Sequence, residues 1–448
     1  MDGGSADNAG SGYLPTAMDG GSADNAGSGY LPPRGRPSVE HTMRPLIGLG
    51  GILLLLLIAY VLSTDRKSIN KRTILLAFAL QVTIAALILY VPFGRDLLGG
   101  VVRGVQHVID YGNDGIQFVF GTRTYESLGF TIALNVLPVI VFFSALMSVL
   151  YYLGVMQKVV AILGGALHAL LRTSQVESMT AISNIFVGHT EAPLVVKPYL
   201  ARMSESELFA VMTCGCATIA GAVMAAYATM GVELEYLITA SFMGAPGGLL
   251  MAKILLPETG RQLDFDPKDT GGEDKAVNVF EAIGNGAATG LTLALNVGAM
   301  LLAFVAMIAL LNGLLGGIGS WFGVEDLTLQ FLLGKVFAPL AFAIGIPWGE
   351  AAEAGSLIGQ KLVINEFYAY ANFVGIKESL TPHTQVIVTF ALCGFANLTS
   401  IAILLGGLGS IVPSRRQDIA RLGLKAVIGG TLSNLMSATL AGLFFSLQ

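Results

Sequence analysis

Charge is the scarcest commodity in this sequence of 448 residues: Asp, Glu, Lys and Arg together make up only 12% of it. A soluble domain carries about 25%, so there are too few charges here to cover a water-facing surface. With 54% hydrophobic residues and a mean hydropathy of +0.70, the chain reads as an integral membrane protein. Cysteine is nearly absent too. Cys214, Cys216 and Cys393 all lie in apolar surroundings with no zinc-type spacing, which excludes a disulfide framework and marks them as buried small hydrophobes. The net charge of −5 offers no basic face, which excludes nucleic acid as a partner. No HExxH, G-x-S-x-G or Walker-type loop occurs, so an enzyme lacks its nucleophile–base set and an ATP-driven pump its phosphate cradle.

What is plentiful is glycine, 56 residues of it. Small residues let helix axes approach closely in lipid, and the four-residue spacing of Gly286 with Gly290 and of Gly313 with Gly317 predicts such crossings. Residues 1–42 stand apart. MDGGSADNAGSGYLP fills positions 1–15 and recurs word for word at 18–32, a polar repeat that cannot bury a core and reads as a disordered or added leader.

Apolar runs near 46–62, 74–93, 128–153, 210–231, 236–256, 286–315, 386–412 and 426–446 approach or exceed the roughly 20 residues a membrane-crossing helix needs. They predict eight spans. The first connection, STDRKSINKR at 63–72, carries four positive charges and is expected inside, which leaves the amino terminus outside. The polar stretch 257–278 and the connection 413–425, with Arg415, Arg416, Arg421 and Lys425, then also fall inside. That holds only if two further apolar stretches, 175–203 and 335–374, enter and leave on one side. Both are broken by Gly, Pro or charge. Residues 95–127 are too polar to cross and are expected along the outer interface.

A weak internal repeat runs through the broken stretches. Thr213-Cys214-Gly215-Cys216-Ala217-Thr218 resembles Leu392-Cys393-Gly394-Phe395-Ala396-Asn397, and each follows an interrupted segment with an acid, Glu191 in one and Glu366 in the other. An odd number of spans between the units makes them inverted repeats with broken helices, a recurrent secondary-transporter design. In the first broken stretch Gly188 and Pro193 bracket a place where helix should open, freeing carbonyls for a cation and N–H groups for an acceptor. A surface hairpin on which His189 and Glu191 are merely wet is the plainer alternative. In the second, Glu366 at membrane depth can accept two hydroxyl hydrogen bonds at once, or simply pair with Lys361 five residues away. Asn397 and Ser400 share one helix face and could serve a ligand or only interhelical packing.

With Gly188-His189-Thr190-Glu191-Ala192-Pro193, Asn365-Glu366-Phe367 and Phe395-Ala396-Asn397-Leu398-Thr399-Ser400 in place, the chain from about Pro45 onward resembles the concentrative nucleoside transporter family, in particular its prokaryotic members. The resemblance implies an all-α polytopic protein of eight transmembrane helices plus two re-entrant helical hairpins, assembled as a homotrimer in the inner cell membrane. It implies nucleoside import by symport with sodium and no organic cofactor. It divides the chain into scaffold helices at 43–94, an interfacial segment and third scaffold helix at 95–153, a first repeat of a mobile transport domain at 154–256, a cytoplasmic loop and central scaffold helix at 257–330, and a second repeat at 331–448. By the same resemblance His189, Thr190 and Glu191 face the nucleobase, Glu366, Asn397 and Ser400 hold the ribose, and Phe395 borders the substrate. Side chains of Asn184 and Thr218 with backbone carbonyls of Val187 and Ile219 form the sodium site. This chain departs from the family pattern in carrying His189 where glutamine is usual. A proton-coupled carrier of another polar solute, or a channel, are the rival readings.

Overall fold

In the computed structural model the described residues are 39–122, 128–260, 276–321, 323 and 327–447, with side chains from residue 45 onward. Residues 1–38 of the repeated leader and most of the polar connection 257–278 lie outside them. Every regular element among the described residues is helical. Helices Val39–Val61 and Lys71–Ala85, the latter continued by a π-helical turn to Tyr90, are followed by a long amphipathic helix Pro92–Phe120 in the stretch expected at the interface. Then come Leu137–Tyr152, Val155–Leu171 and Gln175–Ser183, a 3-10 helix Ala192–Arg202, and the helices Glu205–Ala217, Gly221–Thr229 and Leu234–Leu255. The second half holds Val279–Trp321, Leu329–Ala343, Trp348–Val363, Glu366–Ile376, Pro382–Leu392, Thr399–Gly406, a short turn Leu408–Ile411 and Arg416–Ser446.

Six of these runs are long and apolar enough to cross a membrane: 71–90, 132–152, 205–229, 234–255, 279–321 and 413–446. The protein is a multi-pass membrane protein. Two of the eight expected spans fall short for different reasons. The run at 46–62 has an apolar part of 17 residues, Pro45–Val61, and the run at 386–412 is not one helix but two, broken between Leu392 and Thr399. The stretch 335–374 also divides differently from expectation. A turn at Gly345, whose φ of 110° suits a residue without Cβ, bends the chain by 116° between 329–343 and 348–363. The hairpin proper is therefore 348–376, folded at Ile364–Asn365, with Asn372 Nδ2 donating back to Gln360 Oε1 at 2.7 Å.

Burial separates an inner from an outer layer. In the most apolar stretches of 205–229 and 234–255, 94% of the residues are buried, whereas in that of 279–321 only 11% are. Inside an apolar bundle without water, side chains and small residues must do the joining. Gly286 and Gly290 meet their predicted partner, since a Cβ on them would lie 2.6 Å and 2.7 Å from Ser148 Cβ and Ser144 Cβ on the helix Leu137–Tyr152. Gly313 and Gly317 do not: a Cβ on either would meet nothing within 4 Å among the described residues, although the neighbouring Asn312 donates to Gln330 Oε1 at 3.0 Å on the next helix. The last helix, 416–446, runs between the two halves, and a Cβ on Gly430 would stand 2.5 Å from Cys216 Cβ. All three cysteines are free and buried, as expected of small hydrophobes.

Candidate functional site

Hairpin 1, the helix Gln175–Ser183 with the 3-10 helix Ala192–Arg202, begins with a capping box, in which Ser174 and Glu177 satisfy each other's backbone N–H groups. Glu177 also forms a buried ion pair with Lys253, which pins the hairpin to the helix 234–255. The helix stops after Ser183, and residues 184–191 are irregular before the 3-10 helix starts at Ala192. This is where Gly188 and Pro193 predict an opening. Glu191 and Ala192 both return their N–H groups to the Gly188 carbonyl, at 2.9 Å each. Hairpin 2 opens at Asn365, whose side chain caps the helix that follows by accepting from Tyr368 N at 2.8 Å. Glu366 is the first residue of that helix, where the positive end of the helix dipole favours an acid.

Each hairpin tip is tied to a helix break. The first break, at 218–220, interrupts 205–229; its Gly221 N–H donates to the Phe186 carbonyl of hairpin 1 at 3.1 Å. The second, at 393–398, separates 382–392 from 399–406; its Leu398 N–H donates to the Leu362 carbonyl of hairpin 2 at 3.0 Å. The breaks also touch each other, since Phe395 N–H donates to the Thr218 carbonyl at 3.1 Å. The repeat that was faint in sequence is thus plain as two sets of matching hydrogen bonds.

The residues expected to hold the sugar form one chain. Glu366, 7% exposed, accepts from Asn397 Nδ2 at 2.7 Å; Asn397 Oδ1 in turn accepts from Ser400 N at 2.8 Å and Ser400 Oγ at 3.0 Å. Ser400 Oγ also reaches the Phe395 carbonyl. Tyr227 was not foreseen. Its hydroxyl donates to the other carboxylate oxygen of Glu366 at 3.3 Å, and its ring packs against Phe367 and Tyr370. A tyrosine in an apolar span is an ordinary core residue by sequence alone; only its 139-residue separation from Glu366, closed by the fold, reveals the contact. The ion pair of Lys361 with Glu366 does not form. The Lys361 ammonium donates instead to the Ala391 carbonyl at 2.9 Å and to Asn434 Oδ1 at 2.7 Å.

On the hairpin 1 side, His189 is buried and stands edge-to-face on Phe395, ring centroids 5.0 Å apart, with neither ring nitrogen hydrogen-bonded. The surface-hairpin alternative fails for His189, which is 7% exposed; Glu191 is half-buried. Thr190 packs its methyl against Gly407 beyond the second break. Asn184 is 1% exposed; its Nδ2 donates to the Thr180 carbonyl at 3.0 Å, but its Oδ1 is buried without a donor. An orphaned acceptor of this kind fits a hard cation that seeks oxygen ligands. Val187, Thr218 and Ile219 are buried on the same hairpin tip and helix break, with Thr218 Oγ1 donating to the Cys214 carbonyl at 3.0 Å. A cleft of about 440 Å³ between the helix 329–343 and hairpin 2 is lined by none of these residues.

The fold brings the two acids, the amide–hydroxyl chain, the histidine and the orphaned carbonyl oxygen to two hairpin tips and two breaks that are hydrogen-bonded together. Known proteins match this arrangement along almost the whole chain. Residues 50–123 match the family described as Na+ dependent nucleoside transporter N-terminus, 133–233 the one described as nucleoside recognition, and 236–442 the corresponding C-terminus. The nucleoside permease NupC of Helicobacter pylori is 53% identical over 414 residues, covering 90% of this chain and 98% of that protein. The human solute carrier family 28 member 3 is 36% identical over 90% of this chain and 60% of its own length. Among solved structures, CNTnw in an inward-facing substrate-bound state is 56% identical with a TM-score of 0.87, covering 91% of this chain and 99% of that one. An outward-facing variant of it matches at 0.88. At that identity and coverage, the chain belongs to the concentrative nucleoside transporter family.

Proposed function

We propose that this protein imports nucleosides by symport with sodium, alternating between outward-facing and inward-facing arrangements of a mobile unit that holds both hairpins. The observation that carries the reading is the junction of Glu366, Asn397 and Ser400 on one side with the unsatisfied Asn184 Oδ1 on the other. A carboxylate backed by an amide and a hydroxyl suits the vicinal hydroxyls of a ribose, which donate where Glu366 accepts. His189, Thr190 and Glu191 would meet the base, with Phe395 against its face, and Asn184, Thr218 and the carbonyls of Val187 and Ile219 would receive the sodium ion.

Coupling follows from the shared backbone. Phe395, which carries the second break, hangs from the carbonyl of Thr218 at the first. A cation held at the first break therefore orders the backbone on which the sugar site is built, and binding of each partner favours the other. Moving one sodium ion across 100 mV contributes about 2.3 kcal/mol before any concentration gradient. In this reading residues 43–153 and the helix 279–321 are scaffold, and 154–256 with 331–448 form the mobile unit. The long helix 279–321, whose most apolar stretch is only 11% buried, supports assembly as a homotrimer through that scaffold. The inner cell membrane is the expected location, amino terminus outside.

Uptake of labelled uridine and adenosine into proteoliposomes, with sodium and proton gradients imposed separately, tests the reading. Uphill, saturable uptake driven by sodium alone is expected. Uptake unchanged when choline replaces sodium at constant pH removes the sodium assignment, and uptake that neither saturates nor runs uphill removes the carrier.

A further inference from the structure

Lys361 is 1% exposed and lies in the last turn of the first arm of hairpin 2. A charge so deep in an apolar bundle is expensive, costing several kcal/mol unless it is paired and hydrogen-bonded. No carboxylate pairs with it among the described residues, because the nearest candidate, Glu366, is taken up by Asn397 and Tyr227. Both acceptors of the ammonium are neutral. One is the Ala391 carbonyl, in the final turn of the helix 382–392, where carbonyls lack intrahelical partners and the helix dipole is negative. The other is Asn434 Oδ1, and Asn434 is itself placed by two donated bonds, to the Ala217 carbonyl at 2.7 Å and the Cys393 carbonyl at 2.9 Å. Those two residues sit at corresponding points, where each broken helix stops.

The two halves can be compared there. Asn184 in hairpin 1 lies two residues before Phe186, which holds Gly221 of the first break; Lys361 in hairpin 2 lies one residue before Leu362, which holds Leu398 of the second. At the first break the hairpin presents a buried oxygen lacking a donor. At the second the hairpin brings the positive charge itself, set on a carbonyl at the helix end.

We propose that Lys361 is a tethered cation, whose ammonium does at the second break what a coupling ion does at the first. The half that reads the sugar is then held together without a mobile ion, and only the hairpin 1 half waits for one. The assignment extends the sodium reading above and implies one sodium ion per nucleoside.

The test uses the full-length protein in proteoliposomes and in detergent. Lys361→Ala deletes three methylenes and the ammonium, a fragment equal to propylammonium. Uridine uptake by this variant should fall by about tenfold or more and recover at least about fivefold with added propylammonium, which should leave wild type unchanged; a tenfold loss is the size expected of one charge-assisted hydrogen bond. Lys361→Met, which keeps the four-atom stem and loses the ammonium, should lose uridine affinity to the same degree yet keep the rise in thermal unfolding temperature on adding sodium. Asn184→Ala should instead lose that rise. Uptake by Lys361→Met within about twofold of wild type would overturn the proposal, as would failure of propylammonium to act on a folded Lys361→Ala. Should neither variant fold, the wild-type reversal potential decides: one sodium ion per nucleoside supports a built-in second cation, and two refute it. Sodium-independent uptake by wild type would remove the coupling reading alone, leaving Lys361 to be judged by the propylammonium response.

Discussion

Glu366→Gln is the substitution with the most defined consequence. The carboxylate now accepts from Asn397 Nδ2 at 2.7 Å and Tyr227 OH at 3.3 Å. Glutamine keeps the volume but turns one acceptor oxygen into a donor. That NH2 cannot face Asn397 Nδ2, since two donors would meet, so it must turn toward the Tyr227 hydroxyl, which can accept. The Asn397 contact survives as a neutral bond, and the scaffold of the site should hold. What changes is the hold on the sugar. Hydrogen bonds to an ionised group contribute about 1.5–3 kcal/mol and neutral ones about 0.5–1.5, a difference near 1 kcal/mol per bond. Two ribose hydroxyls make that about 2 kcal/mol, or roughly thirtyfold in affinity. Competition of uridine and of its 2′,3′-dideoxy analogue against labelled uridine, in wild type and variant at saturating sodium, measures it. The analogue should lose only about twofold, because it has no hydroxyl to miss the charge. Equal losses for the two ligands would show that Glu366 does not read the sugar.

Asn184→Ala should raise the sodium concentration for half-maximal uptake by about tenfold, a loss of about 1.4 kcal/mol, since it removes the orphaned oxygen; an unchanged sodium curve would detach Asn184 from the ion. His189 has two buried ring nitrogens without partners, which in the proposed reading meet the nucleobase edge. His189→Gln, with a donor and an acceptor on one flexible amide, should change the ratio of uridine to adenosine affinity by about tenfold while preserving transport; an identical ratio would leave His189 as packing against Phe395. Gly430→Ala adds a methyl 2.5 Å from Cys216 Cβ and should cost about 1–3 kcal/mol by overpacking. Thermal unfolding in detergent checks it, and an unchanged midpoint would contradict the close crossing.

Much of this architecture was legible before any coordinates, and for local reasons. Gly188 and Pro193 bracket a place where a helix should open, and Glu366 stands out as an acid in an apolar stretch broken by charge. The break in 386–412 was visible as polar residues within an apolar run, but the run's length still suggested one crossing. The bend at Gly345 was hidden because apolar residues continue across it on both sides, and a single glycine does not announce its φ. Lys361, Tyr227 and Asn434 escaped altogether as site-builders. Their partners lie 30 to 217 residues away, and no periodicity in the chain encodes contacts of that kind. Gly313 and Gly317 show the opposite error, a local pattern promising a crossing for which the described residues supply no partner.

The bond from Phe395 N–H to the Thr218 carbonyl also bears on how such a protein could arise. Either half alone would expose an opened helix whose loose backbone ends have nothing to meet in lipid, at several kcal/mol for each unmet group. A primitive gene encoding only one unit could have yielded a stable product by self-association, two copies lending each other the missing donor and acceptor across a shared axis. Fusion of the copies would then let the sides diverge, one keeping the unpartnered Asn184 Oδ1 and the other the Lys361 ammonium on the Ala391 carbonyl. Splitting the present gene in the connection 257–278 and expressing both fragments together would retrace that step, each fragment needing the other to become ordered.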